Sequence, residues 1–163
     1  MTAFIVIFIT LSLMGSALWV LPSKKERHRM DLRMQARKLG LIVQLTSIEL
    51  PDKWDKSKER CKVVAYSFYR VKALTSLPKV IWLLPYEVWK YQAVGDGWWS
   101  SDNIVLTVTS IKTLEKYGAI LKAIEITPES VSLYWNEAAD KEGLEELAKM
   151  IFSLTDISSV LNK

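Results

Sequence analysis

The chain has 163 residues, half of them hydrophobic, with one Cys, one His and a net charge of +4. This excludes a disulfide framework, a chain too polar to build a core, and a conventional zinc site. The charge is concentrated: residues 24–38 hold seven basic and two acidic side chains, whereas residues 39–163 hold fifteen and sixteen, so a long nucleic-acid footprint is not expected.

Residues 3–21, AFIVIFITLSLMGSALWVL, carry no charge. As a helix this stretch reaches roughly 28 Å, close to the ~30 Å hydrocarbon core of a bilayer. It reads as a transmembrane anchor over residues 1–22. Basic residues beside a span stay cytoplasmic. The reading is therefore a single-pass protein of the cell membrane (the inner membrane in a bacterium), N-terminus outside and the remainder cytoplasmic. A cleaved signal peptide ending near Gly15 and Ala17 is the rival, opposed by the lack of Lys or Arg before the apolar run. Ser12 and Ser16 have the small-xxx-small spacing of helix pairs, but the motif is common and reads as part of an ordinary apolar helix.

Pro22 interrupts the pattern, and Ser23-Lys24-Lys25-Glu26 reads as a capping box. A second helix is predicted over 24–39, with Leu32, Ala36 and Leu39 on one face and Gly40 at its C-terminal stop. The basic residues are Lys24, Lys25, Arg27, Arg29, Arg33, Arg37 and Lys38. They are the candidate membrane-surface site, resting on anionic headgroups. The competing reading is a topology signal on a solvated face.

Residues 40–163 suffice for one core and form the expected cytoplasmic domain. Strands are predicted at 41–50, 61–70, 80–84, 103–110 and 131–135. The apolar phase of the first shifts after Leu45, which suggests a bulge or a strand end. PDKWDKSKER (51–60) reads as a loop. Residues 111–118 read as a short helix and 120–126 as a strand that turns through Thr127-Pro128-Glu129-Ser130 into the next. Leu144, Leu147, Ala148, Ile151 and Leu154 make an amphipathic helix over 138–154. Ile157, Val160 and Leu161 suggest a further turn or docking tail. The fold class is α+β: a mostly antiparallel sheet of five or six strands with the C-terminal helix packed on it.

Chemistry is scarce. His28 lies in the basic helix and reads as a solvated flank. Cys61 reads as a lone reduced thiol, with no His near it in sequence and no second Cys. No phosphate-loop, dinucleotide or nucleophile-elbow string occurs; Gly95-Asp96-Gly97 reads as a tight turn. No cofactor, metal site or catalytic residue is assigned. Seven Trp are many for this length. Trp89, Tyr91, Trp98 and Trp99 gather around that turn, either folding a loop onto the sheet or forming a partner contact.

The layout of span, basic helix and small β-rich domain resembles the small auxiliary subunit of the bacterial Sec translocon over residues 1–45. The family's glycine-containing β-domain motif is not seen. A run of antiparallel strands closed by a helix is similar to pleckstrin-homology-like domains, an analogy that carries no ligand. The leading expectation is a non-catalytic interaction protein, an accessory subunit whose partners are the lipid bilayer and another membrane or membrane-associated protein. The alternatives are a lipid-headgroup or peptide-binding domain, and an enzyme using the loop carboxylates Asp52, Asp96 or Asp102.

Overall fold

The computed structural model describes residues 1–19, 22–51, 58–95 and 97–156. The chain divides into two units, Met1–Asp31 and Leu32–Lys163. Asp52, Trp54, Asp55, Asp96, Ile157, Val160 and Leu161 lie outside the described residues.

In the first unit, Thr2–Trp19 forms helix α1. Two of its hydroxyls bond within the helix: Thr10 Oγ1 donates to Val6 O at 2.6 Å and Ser16 Oγ to Leu13 O at 2.9 Å. Among the described residues no helix is long and apolar enough to cross a membrane. Val20 and Leu21 are outside the described residues. The expected transmembrane anchor is therefore corrected, and with it the single-pass topology, the cell-membrane localisation and the N-outside orientation derived from it.

Helix α2, Lys24–Lys38, starts as its capping box requires. Ser23 N donates to Glu26 Oε2 at 2.8 Å, and Glu26 N to Ser23 Oγ at 3.3 Å. It ends at Gly40, whose φ of +85° suits a residue without Cβ. Leu41 N bonds Ala36 O at 3.0 Å and Gly40 N bonds Arg37 O at 3.1 Å. This is the Schellman arrangement, with Leu41 and Ala36 both in the core as its apolar contact.

The second unit then runs β1 (Ile42–Pro51), β2 (Lys58–Tyr69), β3 (Ile81–Leu84), β4 (Gln92–Gly95), β5 (Trp98–Ser100), α3 (Val108–Tyr117), a 3-10 turn at Gly118–Ile120, β6 (Leu121–Ile126), β7 (Ser130–Trp135) and α4 (Lys141–Thr155). The seven strands form one antiparallel sheet in the order β1-β2-β7-β6-β3-β5-β4. The α+β class stands; the five or six strands expected become seven. The two additions, β4 and β5, are three or four residues long, too short to show a period.

The expected strand at 103–110 is not one. Ile104 and Leu106 alternate because both are buried, but residues 103–107 join no ladder. Thr107 instead caps α3, accepting from Ser110 N at 3.2 Å. Nor is there a bulge in β1, which pairs with β2 through ten successive partners without a shift. Its apolar phase changes because the covered face changes: Leu41 and Val43 pack toward the helices, Ile48 and Leu50 on the opposite face.

The helix-covered face holds the main core. Tyr66, Leu133, Trp135, Ile124 and Leu83 meet Leu144, Leu147 and Ile151 of α4 there. Burying each such side chain contributes about 1.5–3 kcal/mol. The other face holds Val63, Ala65, Ala123 and Tyr134, joined by Ile48 and Leu50 from β1 and by Leu84 and Val88 from around β3. β1 and β3 are separated by three strands in the sheet, yet Tyr86 Oη donates to Pro51 O at 2.8 Å. The sheet is curled around this second cluster.

Arg70, just after β2, holds the far end of α4. Its guanidinium donates to Thr155 O at 3.0 Å, to Leu154 O at 3.4 Å and to Thr127 O. These include carbonyls that the helix end leaves unpaired. Desolvation pulls the Arg70 pKa below its ordinary value, so the charge is retained at a cost. Arg70→Met is expected to lower unfolding free energy by on the order of 2 kcal/mol in urea titration, with the loss greatest in hydrogen-exchange protection of the last turn of α4.

Candidate interaction surfaces

Helix α1 is apolar around its whole circumference. Phe4 is 79% exposed and Phe8 75%, and Ile5, Leu11, Leu13 and Met14 are exposed as well. Monomeric proteins rarely leave contiguous apolar area on this scale exposed.

Seven basic residues of α2 were candidates for a common surface, and the structure separates them. Lys24, Lys25, Arg27, Arg37 and Lys38 are exposed, and Arg29 is half-buried. Arg33 is committed elsewhere. Its Nε donates to Glu137 Oε1 and its Nη2 to Glu137 Oε2, both at 2.7 Å. Tyr66 Oη donates to the same Oε1 at 2.9 Å. The Glu137 side chain is 1% exposed and that of Arg33 27%. The bidentate fork matches carboxylate geometry in a way an ammonium group does not. The backbone of Glu137 sits at φ +59°, the left-handed region. Its bonding to Glu137 raises the Arg33 pKa. Burial first, then the Glu137 charge, raise that of Tyr66 well above the usual phenol range. Sequence reading had no access to this group, since Arg33 and Glu137 lie 104 positions apart.

The aromatic segment is also divided. Trp98 is buried in the main core on β5, its Nε1 beside Gly118, where an added Cβ would lie 3.1 Å away. Trp99 is half-buried on the same strand. Tyr91 packs against the second cluster, and burial raises its pKa. Trp89 projects, 75% exposed, with Lys90 Nζ 4.3 Å from its ring centroid. The four residues therefore do not form one exposed patch. Of the four, Trp89 is the exposed one.

On the second sheet face Trp82 stacks on Tyr134, centroids 6.0 Å apart, and Tyr134 Oη donates to Glu125 Oε2 at 2.5 Å. Ser67 and Ser132 share a hydrogen bond of 2.7 Å between them. These polar groups are satisfied by one another. Cys61 is half-buried on β2 of this face, while His28 is exposed on α2. Asp102, the described member of the loop carboxylates, accepts from Asn103 N at 2.7 Å, a local turn contact. A shallow groove of about 340 Å³ runs beside α3 and α4, lined by Thr109, Thr113, Lys116, Glu146 and Ser153. Lys116 Nζ and Glu146 Oε1 pair across it at 2.9 Å; this contact raises the lysine pKa and lowers that of the glutamate. Among the described residues no group of His, Cys, Asp and Glu is arranged to hold a metal ion.

No family model matches this chain, and no curated protein does. Among solved structures it is similar to the crystal structure of the mycobacterial trehalose monomycolate transport factor A, at 7% identity and a TM-score of 0.43. The match covers 84% of this chain and 97% of that one. At that score the likeness supports no conclusion about activity.

The buried pair gives two tests. Arg33→Met leaves the Glu137 carboxylate without its counter-charge and is expected to cost about 3 kcal/mol in chemical denaturation. The double variant Arg33→Met/Glu137→Gln is expected to recover part of that loss, because the stranded charge is gone. The Tyr66 phenol titrates higher in the folded chain than in the unfolded one. Its contribution is therefore complete below the unfolded value of about 10 and is lost as pH rises toward the folded value. Stability measured from pH 9 to 11.5 is expected to fall less steeply in Tyr66→Phe than in the parent.

Proposed function

We propose that this chain is a non-catalytic interaction protein, an accessory component that attaches to another protein through α1 and presents the α+β domain beside it. The observation that carries this is the exposure of the large apolar side chains of α1 over residues 4–14, Phe4 and Phe8 foremost. Burial of such a helix in a partner's groove releases on the order of 25 cal/mol per Å² of apolar area removed from water. The exposed Lys24, Lys25 and Arg27 follow α1 in sequence. They select a partner whose apolar groove has an acidic rim. Charge at the rim of an interface sets orientation and encounter rate more than final affinity. Trp89 is the domain's aromatic anchor in this reading, being large, rigid and exposed.

The test is photocrosslinking of the full chain in its source cells, with a photoreactive phenylalanine at position 8. A heterologous protein adduct of one defined mass is expected. It is expected to weaken when Lys24, Lys25 and Arg27 are replaced together by Glu, with the domain's circular dichroism unchanged. Adducts to lipid alone, or an adduct indifferent to the charge reversal, would overturn the proposal.

A further inference from the structure

The sheet has two edges, and they are built differently. β4 has four residues and a register irregularity between Ala93 and Gly95. Short, irregular edges resist pairing with another chain. β1 has ten residues and an unbroken register. Residues 41–48, LIVQLTSI, contain no charge and no proline. None of the usual edge protections is present there. Along such an edge, alternate backbone N–H and C=O groups point away from the sheet. Two large apolar side chains of this strand are exposed, Leu45 at 74% on the helix-side face and Ile42 at 47% on the other.

We propose that β1 pairs antiparallel with β1 of a second copy of this chain, about a two-fold axis through Leu45. The register follows from that axis. Leu45 meets its own counterpart, Ile42 meets Ile48, Val43 meets Ser47 and Gln44 meets Thr46. One register thus covers the exposed apolar side chains on both faces at once. Glu49 is the single charged residue of β1. In this register it lies opposite Leu41, and the two Glu49 side chains are about 27 Å apart along the strand, well beyond a Debye length. Each stays beside its own Arg60, at 3.7 Å. A strand bearing charges would find no counter-charge on 41–48, whereas the same segment of a second copy is complementary to it. An interface of this kind is isologous and closes at two copies, joining the sheets edge to edge. It does not depend on the reading of α1.

The test uses the full chain in a Cys61→Ser background. Leu45→Cys places two thiols across the axis, where facing Cβ atoms of an antiparallel pair lie ~4.5–5.5 Å apart. Rapid oxidation to a band of doubled mass is expected. Thr46→Cys, whose counterpart lies on a diagonal ~7–8 Å away, is expected to crosslink far more slowly. Leu45→Lys sets like charges face to face. It is expected to shift the sedimentation mass from two chains to one while the circular dichroism stays that of the parent, since the position is exposed within each chain. A parent chain that sediments as one copy overturns the proposal. So does a doubled mass that survives Leu45→Lys, equal crosslinking at positions 45 and 46, or a crosslink to a foreign polypeptide.

Discussion

A carboxylate removed from water needs a counter-charge and hydrogen bonds, and Glu137 obtains both from Arg33 and Tyr66. The remaining geometry follows from that requirement. Tyr66 is on β2 and Glu137 follows β7, so the group ties adjacent strands together. Arg33 brings the C-terminal half of α2 to the same place, with Leu32 and Ala36 buried beside it. The Schellman turn at Gly40 then delivers the chain into β1. Loss of the pair would free the helix that sets where the first strand begins.

The sheet has two apolar faces with different covers. Helices α3 and α4 close one face over a continuous cluster of large side chains. The other is closed by the sheet's own curl and by the segment carrying Tyr86 and Val88. The second face accordingly carries smaller or paired residues: Ala65, Ala123, the Ser67–Ser132 bond and the Tyr134–Glu125 bond. Satisfied polar groups of this kind tolerate burial without a metal or ligand. Large exposed apolar side chains lie elsewhere, on α1 and along the uncharged β1 edge.

Tertiary context also redistributed the residues that composition grouped together. Seven basic side chains crowd one helix, yet a helix face turns by about 100° per residue. Arg33 is held by Glu137, whereas Arg37, one turn further along the same ridge, and Lys38 stay in water. The aromatic cluster divides for a similar reason. Trp98 and Trp99 are adjacent on a strand, where successive side chains point to opposite faces. One is therefore core and the other only half covered.

Local signals in the sequence were sufficient for local outcomes. The capping box at Ser23, the stop at Gly40, the 127–130 turn and the stripe of α4 depend on residues within a few positions of one another, so propensity and periodicity specify them. The same signals erred where one pattern serves two structures. Alternating burial of Ile104 and Leu106 resembles a strand, and an apolar run of this length resembles a membrane span. The Arg33–Glu137–Tyr66 group, the pairing of β4 with β5 and the change of face along β1 were settled only on folding. The first joins positions 104 residues apart, β4 and β5 are too short to show a period, and the covered face of β1 depends on what packs on the sheet, which no short window of residues encodes.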